Sequence, residues 1–202
     1  GASFKDMVRL KICFKHHSAE PSGETFADKI MDITTEFVNG AAPAVTSFGV
    51  DLLYPGLVLE IDGMAIVDPT RRTLVCDDLG GRYQSENFAD GISALGEIYV
   101  GGQVALAADN SVLYPEDAAA QARIVFDRVA KVLAKDGATL NDVVKLNIFM
   151  VGDGPDIEDI FHAVSRVWSE VAPNAHPAMT PVRVHDLARP GLLFQADCVA
   201  LK

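Results

Sequence analysis

Glu60 and Asp62 are the two side chains whose type and spacing best suit acid–base chemistry. They stand in the apolar run Leu57, Val58, Leu59, Glu60, Ile61, Asp62. Successive side chains of an extended strand alternate faces. The two carboxylates therefore share one face, with Leu59 and Ile61 on the other. Carboxylates one strand repeat apart can have their proton affinities driven apart, which an acid/base pair needs. The competing role is a solvated or salt-bridged strand face. His162 lies beside the apolar stripe of a helical pattern and is a second acid/base candidate, against a half-buried structural histidine. Arg183 and His185 follow Met179 at even spacing, so one strand face carries all three. Arg183 there is a candidate anion clamp, against a plain surface cation. Arg189, next to Pro190, reads as a turn residue. Gly101 and Gly102 interrupt an apolar strand, either as a bulge or as a place where backbone N–H groups meet a ligand. Cys13, Cys76 and Cys198 are widely separated, and His16 and His17 lack a third ligand nearby. Neither a metal site nor a disulfide framework is expected.

The elements that must hold these residues follow from periodicity. A strand is expected at 74–76 and another at 98–106, broken by the glycine pair. Pro115 opens a helix to about residue 135, with Ala118, Ala122, Val125, Val129 and Val132 on one face. Gly137 ends it. Residues 143–151 are β-branched and read as a strand. Ile157, Ile160, Phe161, Val164, Trp168 and Val171 mark a second amphipathic helix, stopped before Pro173. Strands at 180–185 and 192–201 close the unit. Such an order implies an α+β layer, two helices on one face of a mixed sheet. Upstream, a strand is expected at 8–14 and a polar loop at 16–24. A helix follows at 25–38 with Phe26, Ile30, Ile33 and Phe37 inward, then strands at 45–50 and 57–67.

The upstream part repeats the downstream one. Gly1, Ala2, Ser3 and the residues to Ile12 reappear as Gly137, Ala138, Thr139 and the residues to Ile148. Pro43-Ala44 answers Pro177-Ala178. Asp51 with Pro55-Gly56-Leu57 answers Asp186 with Pro190-Gly191-Leu192, and Asp62 answers Asp197. Self-similarity fixes the architectural unit. Residues 68–202 read as a complete module and 1–67 as the second half of another. Half a module leaves an apolar helix face and a sheet edge open. Either both sets of strands join one sheet, or an upstream segment or neighbouring chain supplies the missing half. Because Gly1-Ala2-Ser3 matches the internal copy, it is expected to be native sequence, with the natural chain beginning upstream or cleaved there.

The 202 residues carry a formal net charge of -11, with 22% charged and 49% hydrophobic residues. That acidity argues against a nucleic-acid grip and against an anionic membrane surface. It leaves room for a small ligand held locally. With no leader and no apolar run near 18 residues, a cytoplasmic protein is expected.

The complete module resembles the RidA family, also called YjgF/YER057c or L-PSP. The resemblance rests on Gly81-Arg82-Tyr83 (family Gly-Pro-Tyr), Ile98-Tyr99-Val100-Gly101-Gly102-Gln103 (family Val-Phe-Val-Ser-Gly-Gln), Asp142-Val143-Val144-Lys145 and Pro177-Ala178. It implies a chorismate-mutase-like α+β fold, a trimer or trimer-derived homo-oligomer with clefts between units, and hydrolysis of enamines or imines without metal or cofactor. In active members an Arg after Pro-Ala clamps the substrate carboxylate, and a Glu on the last strand positions water. This sequence departs at those places. The Arg position is Met179 in the complete module and Val45 in the partial one. The Glu position is Gln195, which is no base near neutral pH, and Glu60. An Asn of the family cleft falls at His162 and Asp28. Glu60 and His162 are thus the expected catalytic residues. Tyr83, Gly101, Gly102, Thr180, Arg183 and Gln195 are the expected substrate-binding ones. Two readings stand open: a divergent deaminase or related small-molecule hydrolase with a non-standard substrate, or a non-catalytic metabolite-binding or assembly protein. An old ribonuclease reading of the family is opposed by the acidic charge.

Overall fold

The computed structural model describes residues 1–15, 26–38, 40–77, 79 and 88–202, with backbone alone at 26, 27 and 155. Tyr83, Gly81, Arg82 and the His16–His17 pair lie outside the described residues. The elements run β1 (Met7–Lys15), α1 (Phe26–Val38), β2 (Ala44–Val50), β3 (Leu59–Ala65), β4 (Arg72–Leu74), β5 (Gly91–Ala94), β6 (Glu97–Val104), α2 (Ala118–Ala134), β7 (Val143–Val151), α3 (Pro155–Val171), β8 (Ala178–Val184) and β9 (Phe194–Leu201). This is the mixed α+β layering expected from the sequence.

The strands form two sheets rather than one extended sheet. One has the order β2-β1-β3, the other β4-β5-β6-β9-β7-β8. β1 pairs parallel with β2 and antiparallel with β3. β7 pairs parallel with β8 and antiparallel with β9, the same arrangement. The entry into each set is also built alike. Ser3 donates its N–H to Asp6 Oδ2 at 2.6 Å and Thr139 donates its N–H to Asp142 Oδ2 at 2.7 Å, one turn before β1 and β7. Each is a capping box satisfying the first free N–H groups of a short helical turn.

α2 starts where Asp117 accepts the Ala120 N–H at 2.9 Å, and the chain leaves it through Gly137 at φ 76°. Its buried stripe of Ala122, Val125, Phe126, Val129 and Val132 lies on the six-stranded sheet. Phe126 meets Trp168 of α3 edge-on at 5.1 Å and Phe194 of β9 at 5.6 Å. α1 has no such neighbour among the described residues. Asp28, Ile30, Met31, Thr34 and Val38 are its buried positions, whereas Ile33 is 57% and Phe37 69% exposed. The expectation that Ile33 and Phe37 point inward is therefore corrected. On α3 the position answering Ile33 is Val167, 1% exposed, whereas the one answering Phe37 is Val171, itself exposed.

The two sheets pack face to face. Phe48 of β2 stacks on Phe149 of β7 with ring centroids 4.4 Å apart. Lys11 of β1 reaches Asp197 of β9 at 3.2 Å, and Thr46 of β2 donates to the same carboxylate at 2.9 Å. Arg71, in the link between the halves, donates Nη2 to the carbonyls of Met7 and Ala41 at 2.9 and 2.8 Å. Burial lowers the proton affinity of its guanidinium. No helix among the described residues is long and apolar enough to cross a membrane.

Candidate functional site: a cleft between the two sheets

The glycine pair of β6 positions the site. The β6–β9 register shifts between Val100 and Gln103, so Gly101 and Gly102 form a β-bulge. A Cβ on Gly101 would stand 2.9 Å from the carbonyl oxygen of Val45, so the absent side chain is what lets β2 approach β6. The Gly101 N–H donates to the Asp90 carbonyl at 2.8 Å and is thereby engaged within the protein. A Cβ on Gly102 would meet Gln195 Nε2 at 2.0 Å. The bulge thus holds Gln195 against one sheet and Val45 against the other.

Between them opens a cleft of about 60 Å³, lined by Val45 and Ser47 of β2, the bulge, Gln103, Gln195 and Arg128. That is room for a few waters or a ligand of a few heavy atoms. Gln195 is 5% exposed, and its Oε1 is buried with no hydrogen-bond partner. Gln103 donates Nε2 to the Gly101 carbonyl at 3.3 Å. Arg128 is buried and donates to the Leu106 carbonyl. Amide, hydroxyl and guanidinium groups on apolar walls bind and orient. Gln195 itself cannot take a proton near neutral pH.

The expected site residues divide between this cleft and the outer surface. Gly101, Gly102 and Gln195 line the cleft together. Glu60 does not: it lies exposed on β3, opposite Cys13 of β1. Asp62, on the same strand face, pairs with Arg9 at 3.0 Å. Burial raises the proton affinity of the Cys13 thiol, with the Glu60 charge adding to it. His162 is exposed on α3, not half-buried. Thr180 and Arg183 are exposed on β8, an edge strand of the larger sheet. Arg183 donates Nε to the Gly152 carbonyl at 2.9 Å and its Nη2 to Asp153, so it anchors a loop. Arg189 is more than a turn residue: its Nη1 donates to both oxygens of the buried Asp28 of α1, at 3.0 and 3.2 Å.

Arg128, Gln103, Ser47 and the Arg189–Asp28 pair were not singled out by the sequence. Arg128 did carry a signal. It falls three residues after Val125 and one before Val129, inside the apolar stripe of α2, where a charge must find partners. Among the described residues, no group of His, Cys, Asp and Glu is arranged to hold a metal.

The family model described as endoribonuclease L-PSP matches residues 83–202. The mitochondrial protein Mmf1 of Schizosaccharomyces pombe is 34% identical over 113 residues, 55% of this chain and 65% of its own length. The chain thus spans somewhat under two thirds of that relative. The 3-aminoacrylate deaminase RutC of Acinetobacter baylyi is 34% identical over 103 residues, 51% of this chain and 77% of its own. Among solved structures, YEO7 of yeast superposes with a TM-score of 0.57 at 22% identity, over 66% of this chain and 99% of that one. Rv2704 of Mycobacterium tuberculosis, a member of the YjgF/YER057c/UK114 family, gives a TM-score of 0.54 at 25% identity over 66% and 100%. One relative being mitochondrial, the likeness does not fix a cytoplasmic location.

Proposed function

The chain belongs to the endoribonuclease L-PSP family, also called RidA or YjgF, and from that footing we propose that its inter-sheet cleft binds a small polar molecule through the side-chain amide of Gln195. One observation carries the reading. Gln195 Oε1 is buried beside the cleft without a partner. A buried acceptor left unpaired costs about 1–3 kcal/mol, which a ligand N–H or O–H would offset. Val45 lies on the opposite wall, where the family resemblance puts a carboxylate-clamping Arg. A simple 2-imino acid therefore lacks its usual anchor here. Titration of three- to six-atom amides, amines and hydroxy acids, followed by calorimetry, tests the reading. Binding that weakens about tenfold in Gln195→Leu supports it. Equal binding by the variant would sink it.

The two sheets, with their matching pairings, support a reading of the chain as two units of one fold, 1–67 lacking its front and 68–202 complete. By the family resemblance, such units associate into a trimer-like ring. Native mass spectrometry tests that assembly, and a monomer at micromolar concentration would refute it.

A second reading has its own support in the 34% identity to a 3-aminoacrylate deaminase. It holds that the chain hydrolyses a small enamine. Ammonia release from 3-aminoacrylate tests it. Turnover lost in Glu60→Gln but kept in Gln195→Leu would put the chemistry on the β3 face. The converse would put it in the cleft, and no turnover would leave the binding reading alone.

A further inference from the structure

The half of the molecule around β1 has an open face that the other half has covered. Ile33 of α1 answers Val167 of α3, and Leu59 and Ile61 of β3 answer Phe194 and Ala196 of β9. Ile33 is 57% exposed and Val167 1%; Leu59 is 37% exposed and Phe194 0%. Every residue of β3 is exposed, whereas β9 is buried between β6 and β7. Between α1 and β3 runs an apolar groove of about 280 Å³, floored by Met7 and Leu10 and walled by Phe4, Ile33, Phe37 and Leu59.

The molecule also displays what fills the corresponding place. In the covered half, β6 pairs antiparallel with β9, and α2 lays Phe126 against Trp168 and Phe194. The positions answering Trp168 and Phe194 are Thr34 and Leu59, and both line the groove. One strand–helix unit would close edge and groove together.

We propose that the β3 edge and the α1–β3 groove are the docking surface for a strand–helix half-module of this same fold lying outside these 202 residues, its strand pairing with β3 as β6 pairs with β9 and its helix seating in the groove as α2 seats on α3. A second copy of this chain is a poorer occupant. Its own β6 and α2 are engaged in its own sheet. Antiparallel self-pairing about the centre of β3 sets Asp62 against Asp62 of the other copy, or Glu60 against Asp62, and like charges directly opposite are destabilising. The proposed occupant is therefore an antiparallel strand carrying small or basic residues opposite Glu60 and Asp62, followed by a helix with one large apolar anchor. Its arrival would set Glu60 beside the incoming strand as Gln195 sits beside Gly102.

Residues 68–136 of this chain are a ready probe. They run directly into Gly137 as the missing half would run into Gly1. The experiment fuses a second copy of residues 68–136 ahead of Gly1 and follows amide hydrogen exchange. Exchange in β3 is expected to slow at least about tenfold relative to the unfused chain. A Phe37→Asp change within the fusion is expected to restore fast exchange. Unchanged β3 exchange, with β7 and β9 protected as before, would overturn the proposal. Protection of β3 in the unfused chain that rises with concentration alongside a doubled mass would also overturn it, in favour of self-association. Should the fusion disturb β9, β3 exchange is compared in the fusion with and without Phe126→Asp in the added copy: faster exchange in the variant supports docking and equal exchange refutes it.

Discussion

Gly101 and Gly102 are neighbours with opposite predicted sensitivities. Neither has the positive backbone angle that favours glycine, so alanine is conformationally allowed at both and the difference is steric. At 101 the new Cβ would stand 2.9 Å from the Val45 oxygen and 3.1 Å from the Val45 nitrogen, both backbone atoms of a strand inside a sheet. Neither can move without shifting β2, so the two sheets must part. Overpacking of this kind costs about 1–3 kcal/mol. For a chain of this size each kcal/mol lowers Tm by roughly 2–4 °C, so Gly101→Ala is expected to lose roughly 2–12 °C. At 102 the Cβ would meet the far end of a side chain, Gln195 Nε2 at 2.0 Å and Cδ at 2.9 Å. That amide can swing into the cleft, so Gly102→Ala is expected to lose under about 1 kcal/mol. It is also expected to occupy the ligand's place. Thermal unfolding by calorimetry measures the first quantity. The side-chain amide resonances of Gln195 measure the second, moving strongly in Gly102→Ala and little in Gly101→Ala. Equal Tm losses in the two variants would refute the argument that β2 backbone, rather than Gln195, limits position 101.

Two further outcomes follow from the contacts between the halves and a third from contacts within residues 68–202. Arg189→Ala takes this cation from the buried Asp28 and is expected to destabilise by about 1–3 kcal/mol in urea titration, the loss of a charge-assisted hydrogen bond to a buried carboxylate. Phe48→Ala removes the ring stacked on Phe149 and is expected to cost about 3–5 kcal/mol, where a loss under about 1 kcal/mol would mean the two sheets are not held by this stack. Hydrogen bonds from the Thr70 hydroxyl, then from the Leu95 and Thr70 N–H groups, hold the Asp68 carboxyl below its usual range. A carboxyl depressed in the folded state gives stability that is present above its unfolded value, near pH 4, and lost as pH falls through the folded one. Asp68→Asn should therefore unfold at lower temperature than the parent at pH 7, with the gap closing on acidification; a gap that widens in acid reverses the sign and refutes it.

Much of the fold was legible from the spacing of its apolar residues. Apolar spacing placed α2 and α3, whereas the matching strand pairings of the two sheets came only from the structure. The bulge at Gly101–Gly102 was readable because glycines within an apolar strand have few other uses. The inward face of α1 was not, since periodicity finds an apolar stripe but not its partner. Ile33 is apolar as Val167 is, but among the described residues no helix covers α1 as α2 covers α3. Nor could the cleft be assembled from sequence. Val45 and Gln195 are 150 positions apart in the sequence, and only the stacking of the two sheets brings them to one cavity.

The same stacking explains why Glu60 and Gln195 part company although they sit on strands with matching pairings. A residue at this strand position acquires its function from what stands across from it. Gln195 has the β6 bulge on its own sheet and β2 of the other half opposite, so an amide there is buried, positioned and left with one acceptor to offer. Glu60 has the matching strand position but, among the described residues, no β6-like neighbour, and its carboxylate is exposed on an edge. A solvated carboxylate is a weak positioner of water, because bulk water competes for every hydrogen bond it makes. Chemistry at Glu60 therefore requires the β3 edge to be occupied first. If the fused half-module slows exchange in β3, a deaminase assay on that fusion should be the more productive one. Turnover by the unfused chain that depends on Glu60 would contradict this ordering.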